Sequence, residues 1–233
     1  MNEKPLGKKA YGHIPHLPDS RMGPGDHHCH DGQAEICTNK KRDWRDQIIV
    51  QEKLDGSNCS VAKLADGKIV VLTRSGYEAT TSKYEQHQYF DSWVRENIIR
   101  FDRMLLPGER VCGEWLAQAH GTIYKLHHEP FVVFDLIQGE RRLTLSELIP
   151  RAYAHDFILP RLISYGNPIP IIDVIKQISI SGHGAVDKVE GAVWRVERNG
   201  EVDFLAKFVR PDKKDGIYLE SVTGNPPVWN WKP

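Results

Sequence analysis

The sequence predicts an α+β fold with antiparallel sheets. Strand patterns stand at the beginning and the end of the chain with helix patterns between them, which differs from the strict βαβ alternation of a parallel sheet. Asn199-Gly200 separates two apolar segments of β character, and this dipeptide is the strongest short signal for a hairpin. The 233 residues are 40% hydrophobic, enough to bury one large core or two smaller ones.

The first part of the chain, residues 1–47, is rich in Gly, Pro, His and charged residues. This composition predicts irregular structure, and we interpret 1–47 as an N-terminal extension packed on a core domain of residues 48–233. His27, His28, Cys29, His30 and Cys37 suggest a zinc site. Adjacent ligands rarely converge on one ion, however, and no second pair completes a tetrahedral set, so zinc is disfavoured.

The second part, from Ile48 to Leu136, carries most strand patterns. The predicted strand pattern runs from 48 to 64 with a bend at Asp55-Gly56, the second strand starting at 59–62. Further strands are predicted over 69–73, 110–116 and 131–136, with a turn at Asp66-Gly67. One amphipathic helix is predicted between them. Its apolar stripe has one polar exception, Asn97, and consists otherwise of Phe90, Trp93, Val94, Ile98, Phe101, Met104 and Leu105.

In the third part, Thr144-Leu145-Ser146-Glu147 is a capping box that predicts the start of a helix. Pro150 is expected to interrupt that helix early. A mixed helical segment is predicted to about Ile180. Strands over 191–197 and 202–209 then pair around the Asn-Gly turn.

Composition limits the function classes. Lys plus Arg and Asp plus Glu both total 31, so strong nonspecific attraction to a polyanion is not expected from the whole molecule. Local basic patches, or merely solvated faces, lie at 40–42, at Arg100 with Arg103, and at 207–214. The four cysteines show no disulfide spacing, which favours a cytoplasmic protein, and no apolar run is long enough to span a membrane.

Lys53 stands between an apolar strand and a tight glycine turn, in Glu52-Lys53-Leu54-Asp55-Gly56-Ser57-Asn58. This position favours a nucleophile, although an exposed lysine before an ordinary hairpin is the alternative. A lysine amine is almost entirely protonated at neutral pH, and burial or neighbouring cations are what could make it reactive.

Further motifs follow in order: Thr73-Arg74-Ser75-Gly76, Gly113-Glu114-Trp115, Phe131 to Asp135, Val189-Glu190-Gly191 and Phe204 to Phe208. The series from Ile48 to Arg210 resembles the RNA ligase family of ATP-dependent covalent nucleotidyltransferases, closest to the branch that seals duplex or bridged RNA. The resemblance implies a nucleotidyltransferase domain of two mostly antiparallel sheets flanked by helices, ATP-grasp-like and without an OB-fold.

The resemblance also implies the catalytic roles. Lys53 would attack the α-phosphate of ATP and carry AMP, and Lys207 would contact that phosphate and lower the pKa of Lys53. Glu190 would bind the catalytic metal, and hard oxygen ligands favour Mg²⁺ (or Mn²⁺) over zinc.

The remaining implied roles concern the nucleotide. Phe134 would stack on adenine, Glu52 would read the adenine amino group, and Asn58 matches an asparagine of the nucleotide pocket. Arg74 would contact the ribose or the RNA end, and Glu114 would bind the ribose hydroxyls.

One position departs from the family pattern. Leu205 stands where family members usually have the first lysine of Lys-x-Lys, and Arg210 or Lys213 are candidates to replace it.

The function predicted is an ATP-dependent RNA ligase that joins 5′-phosphate and 3′-hydroxyl RNA ends in RNA repair, with an end-healing protein as a possible partner. The alternatives are DNA nick sealing and a non-catalytic nucleotide-binding or RNA-binding protein of the same fold.

Overall fold

The computed structural model of the protein describes residues 3–232, and two sheets form its framework. The first sheet has the strand order β7-β1-β8-β9 and the second β3-β2-β4-β5-β6. The strands are β1 (Asp46–Lys53), β2 (Ser57–Lys63), β3 (Ile69–Thr73), β4 (Glu109–Trp115), β5 (Phe131–Gln138), β6 (Arg141–Arg142), β7 (Leu162–Gly166), β8 (Gly191–Arg198) and β9 (Glu201–Val209). The helices are α1 (Asp31–Thr38), α2 (Glu85–Glu96), α3 (Ile98–Met104), α4 (Leu145–Ala154), α5 (Ile171–Gln177) and α6 (Glu220–Thr223), with a 3₁₀ turn at Ala79–Thr81.

Neighbouring strands are antiparallel in both sheets, so the predicted α+β class with antiparallel sheets is confirmed. The hairpin of β8 and β9 turns at Asn199 and Gly200, whose φ angles of 54° and 79° lie in the left-handed region. Both central residues of a type I′ turn need such angles, which is why Asn-Gly forms it with little strain.

Each sheet has its own apolar core. The larger core joins β2 to β5 with α2, α3 and α4 around Trp115, Phe90 and Phe131. The smaller core joins β1, β8 and β9 with α1 and α5 around Trp194 and Leu17. Helices therefore cover both sheets, and the chain passes from the first to the second directly after β1.

Two helices, α2 and α3, replace the single helix predicted over 90–105. The break lies at Asn97, the polar exception in the apolar stripe. The Asn97 side-chain amide donates to the carbonyl of Trp93 (2.9 Å), and Arg100 donates to Asn97 Oδ1 (3.0 Å). The side chain thus satisfies a carbonyl at the end of α2, as Asn commonly does where a helix ends.

The prediction that Pro150 interrupts α4 is wrong, because this helix continues to Ala154. Proline removes the hydrogen bond to the carbonyl four residues earlier, which belongs to Ser146. Ser146 is exposed, so water can satisfy that carbonyl. The predicted capping box is present at Thr144 and Glu147.

The segment that was predicted to be mixed helical up to Ile180 contains strand β7, which pairs antiparallel with β1. In the first 47 residues, where no element was predicted, α1 forms and buries Ala34 and Cys37. Cys29 and Cys37 are free and buried, and no group of three or more His, Cys, Asp or Glu within residues 3–232 could hold a metal ion. Over the same residues, no helix has the length and hydrophobicity to cross a membrane.

Candidate active site

Lys53 is the last residue of β1, at the point where the chain leaves the first sheet for the second. Alternation along β1 directs Ile48 and Val50 into the smaller core, whereas Ile49 joins the larger one. Lys53 shares the parity of Ile49 and so faces the second sheet. It lies in a cavity of about 560 Å³ that residues of both sheets line.

The eight residues predicted for the site all line this cavity. They reach it from β1, β2, β4, β5 and β9, from the residue after β3 and from the residue before β8. The set is Glu52, Lys53, Asn58, Arg74, Glu114, Phe134, Glu190 and Lys207.

The register of β1 and β8 brings Lys53 and Glu190 together. Lys53 pairs with Gly191, and the Glu190 Oε2 atom lies 2.6 Å from Lys53 Nζ. A side chain at position 191 would meet the Phe208 carbonyl oxygen at 1.8 Å, so only glycine allows β9 to pass this closely. Gly191 therefore allows Glu190 and Lys207 to reach the same cavity.

The lowered pKa that burial and Lys207 predict for Lys53 is not found in this structure. Burial favours the neutral amine, but Glu190 and Glu114 outweigh it and raise the pKa of Lys53 above its ordinary value. The pKa of Lys207 is lowered by burial and then by Lys53. Lys53 is therefore an ammonium group at neutral pH while Glu190 remains its partner, and it needs a change of partner before it can attack.

Burial and neighbouring charges together set the pKa of the Glu114 carboxyl group. Burial raises its pKa to about 7, with Lys53 opposing and Glu190 adding to the shift. Its Oε1 atom accepts the N–H of Gly56 (3.0 Å), which fixes the turn after Lys53.

We expect Glu114→Gln to stabilise the fold at high pH. A raised carboxyl pKa means that the folded protein disfavours the ionised carboxylate. The free energy of unfolding therefore falls as the pH rises above the pKa of the unfolded chain, and the loss is complete above about pH 7. Glutamine keeps the acceptor for Gly56 and should add about 1 to 3 kcal/mol to the free energy of unfolding at pH 8, and little at pH 4. Urea unfolding at both pH values measures this, with the exposed Glu201→Gln as control. Equal or lower stability at pH 8 would contradict it.

Two nucleotide-site predictions concern polar groups. Glu52 is 2% exposed, and its oxygens accept the Ser181 hydroxyl (2.5 Å) and the Gly182 N–H (2.8 Å). The loop at 181–182 thus orients the Glu52 carboxylate. Asn58 Oδ1 is buried and has no hydrogen-bond partner within residues 3–232. Buried polar atoms are rarely left unpaired, so this oxygen suits a ligand donor.

Leu205 lines the cavity beside Lys207, where the family pattern has a lysine. The candidates to replace it lie elsewhere: Arg210 pairs with Asp212, and Lys213 binds Asp55 (2.5 Å) and Thr122 (2.6 Å). Neither is among the lining residues that the structure describes. The cationic residue directly opposite Leu205 in the pairing of β8 with β9 is Arg195.

Sequence reasoning missed Arg195 and the role of Asp135. These side chains join the two sheets through a buried ion pair of 2.6 Å, and Arg195 also donates to Glu197 and to the Leu143 carbonyl. Asp135 also accepts hydrogen bonds from Arg142 and from the Tyr11 hydroxyl. One signal was available: each charged residue follows directly on a run of apolar residues in its strand.

The N-terminal segment was also missed as part of the site. Tyr11 packs edge-to-face on Phe134, with ring centroids 5.2 Å apart. Lys9, Gly12, His13 and Ile14 line the cavity as well. Composition gave no signal for this, because the segment is positioned by backbone hydrogen bonds.

The sequence model of the RNA ligase family matches residues 46–209. That range covers more than half of the chain and contains all eight predicted site residues. The chain belongs to the RNA ligase family. The predicted family is thereby confirmed, whereas the finer branch and the individual residue roles stay predictions.

Solved structures share the fold of this RNA ligase family member at low identity. A Naegleria gruberi RNA ligase mutant with ATP and Mn has a TM-score of 0.55 and 15% identity, over 91% of this chain and 60% of that one. The same organism's RNA ligase with PPi has a TM-score of 0.52 and 18% identity, over 78% and 53%. An archaeal ATP-dependent RNA ligase has a TM-score of 0.46 and 22% identity, over 84% and 48%.

The chain thus matches between about half and three fifths of the length of these solved chains. No curated protein matches it. The two Naegleria gruberi structures agree with the predicted nucleotidyltransferase-domain fold of two antiparallel sheets flanked by helices.

Proposed function

We propose that this chain is an ATP-dependent RNA ligase that joins a 5′-phosphate end to a 3′-hydroxyl end through AMP bound to Lys53. The observation that carries the proposal is the cavity at the end of β1, where Lys53, Glu190, Glu114 and Lys207 converge. Covalent nucleotide transfer needs an amine, a carboxylate and a second cation at one point, and this cavity provides all three. Residues 48–233 would form the nucleotidyltransferase domain and residues 1–47 an extension packed on it.

In the first step, the Lys53 nitrogen bonds to the α-phosphorus of ATP, and the bond to the pyrophosphate oxygen breaks. The Lys53 ammonium must first lose a proton, which water can accept because the side chain is 23% exposed. When Glu190 turns to another cation, the amine loses its main countercharge, and burial together with Lys207 then favours the neutral form. Lys207 can stabilise the charge that develops on the transferred group.

A divalent metal fits this set of donors. Glu190 would hold it, as a buried carboxylate beside the phosphate position, and Mg²⁺ usually binds through one or two carboxylates plus substrate phosphates. When bound, Mg²⁺ or Mn²⁺ supplies positive charge to the phosphate oxygens. The Naegleria gruberi complex with ATP and Mn supports this proposal.

The other residues would hold the nucleotide and the RNA. Phe134 would offer a ring face for adenine, and Tyr11 packs edge-to-face against Phe134. Glu52, which the loop at 181–182 holds in place, would accept a hydrogen bond from the adenine amino group. Arg74 and Glu114 would contact the ribose or the RNA end.

AMP would then pass to the RNA 5′-phosphate, and the 3′-hydroxyl would displace it to form the phosphodiester. We place the substrate in the class of duplex or bridged RNA breaks, in RNA repair. An end-healing partner and a cytoplasmic location stay predictions.

The first test is covalent labelling of the wild-type chain. With α-labelled ATP and Mg²⁺ or Mn²⁺, the chain should gain one AMP, and peptide mass spectrometry should find it on Lys53. Sealing should then be compared at one nick with an RNA or a DNA strand carrying the 3′-hydroxyl. Preference for DNA would favour the DNA nick-sealing alternative, and nucleotide binding without any adduct would favour the non-catalytic one.

A further inference from the structure

Residues 9–17 run across the cavity from one sheet to the other. At the second sheet, Ala10 and Tyr11 donate their N–H groups to the Arg74 carbonyl (3.1 and 3.3 Å), and Arg74 donates to the Gly12 carbonyl (3.1 Å). At the first sheet, the Lys207 N–H donates to Pro15 (2.9 Å), and Leu17 donates to the Lys207 carbonyl (2.8 Å). The segment lies outside the range of the family match.

This segment supplies most of the exposed part of the cavity. Of the described lining residues, the solvent-exposed ones form what we name the exposed rim: Lys9, Gly12, His13, Arg74 and Ser75. Three of the five belong to the segment. The carboxylates that line the cavity are not exposed; they are Glu52, Asp55, Glu114, Asp135 and Glu190. The rim is therefore cationic, and the interior carries the acidic groups.

The positively charged side chains of Arg74 and Lys9 lie close enough to His13 to shift its pKa. Arg74 first, then burial and Lys9, lower the pKa of His13, while Asp26 acts in the opposite direction. The countercharge comes from Asp26, which lies outside this segment. Asp26 lies 3.8 Å from His13, 3.0 Å from His16 and 3.6 Å from Lys207. One carboxylate thus faces several basic groups, which leaves the rim suited to a further anion.

We propose that Lys9 and His13, together with Arg74, form a second phosphate subsite at the exposed rim, beyond the α-phosphate position at Lys53 and Lys207. Its ligand is a phosphate group of the substrates, either in the pyrophosphate portion of ATP or at the RNA 5′ end. The inference rests on the proposed function for the identity of these substrates. Exposed lysine and histidine side chains can bind a phosphate without the cost of desolvating a buried charge.

The test uses the full-length chain with Lys9→Ala, His13→Ala and the double variant. Lys68→Ala and His127→Ala are controls, because both residues are exposed and neither is a lining residue. One arm measures binding of inorganic pyrophosphate by calorimetry. The other measures sealing of pre-adenylated RNA, in which the activated 5′-phosphate is supplied ready-made. Circular dichroism and thermal unfolding verify that each variant is folded.

We expect each single variant to weaken one of the two arms by about 5- to 30-fold at low salt, and less at high salt. Weaker pyrophosphate binding with normal sealing assigns the subsite to the pyrophosphate portion of ATP. Weaker sealing with normal pyrophosphate binding assigns it to the RNA end. Changes within twofold of the controls in both arms overturn the subsite. A wild-type chain that forms no AMP adduct, while the variants still lose pyrophosphate affinity, refutes the proposed ligase and leaves the subsite standing.

Discussion

Lys53→Ala is expected to lower covalent AMP labelling by at least about a thousandfold, because the variant lacks the nitrogen that bonds to phosphorus. Sealing with ATP should disappear with it. Sealing of pre-adenylated RNA should persist to a measurable degree, because that substrate bypasses the first step. Gel detection of labelled protein and of ligated RNA measures both outcomes.

The Lys53 variant also changes the charge balance of the cavity. Alanine leaves Glu190 and Glu114 without their countercharge, so a loss of activity could reflect a disturbed fold. Lys53→Arg is the matched variant: it keeps the positive charge beside Glu190, but a guanidinium group stays protonated and cannot attack. It should unfold like the wild type and remain unlabelled. Full labelling of either variant would exclude Lys53 as the nucleophile.

Asp135→Ala is expected to cause the largest loss of stability, about 3 to 5 kcal/mol in the free energy of unfolding. Asp135 is 1% exposed and pairs with Arg195, which is 2% exposed, and with Arg142. Removing the carboxylate leaves the buried Arg195 guanidinium with Glu197 as its remaining carboxylate partner among the described residues, and the Tyr11 hydroxyl loses its acceptor. Urea unfolding measures the shift in midpoint.

Two comparisons separate the buried pair from an ordinary ion pair. Asp91 pairs with Arg95 on the surface of α2, and Asp91→Ala should change stability by no more than about 1 kcal/mol. The double variant of Asp135→Leu and Arg195→Met should lose less than the sum of the single losses, because neither member of this pair is then left facing the missing one. A loss below about 1 kcal/mol for Asp135→Ala would show that water or another group replaces the pair.

The sequence was most informative where local chemistry decides the structure. Asn199-Gly200 predicted the β8–β9 hairpin because few other residues adopt its φ angles, and the Thr144 capping box predicted the start of α4. Strand β7 was missed because its side chains are half-exposed or exposed and its partner, β1, lies more than 100 residues away. Asn97 was visible in the pattern, but its side-chain bond to Trp93, which ends α2, was not.

For the site, family motifs identified residues of one cavity although they lie as far apart as Glu52 and Lys207. What the motifs could not give is the balance of charges. The ionisation of Lys53 depends on the distance to Glu190, and this distance follows from the register of β1 and β8. Tyr11 and His13 were missed because backbone pairing to Arg74 and Lys207, not a sequence pattern, brings them to the cavity.

The contact of residues 15–21 with β9 has a consequence for solubility. β9 is an edge strand of the first sheet, and an uncovered edge is a template on which another molecule can add a strand. The outward N–H and carbonyl of Lys207 form hydrogen bonds with the Pro15 carbonyl and the Leu17 N–H. Those of Val209 form hydrogen bonds with the Ser20 hydroxyl and the Arg21 N–H. The segment thereby shields this half of the edge from intermolecular β-pairing.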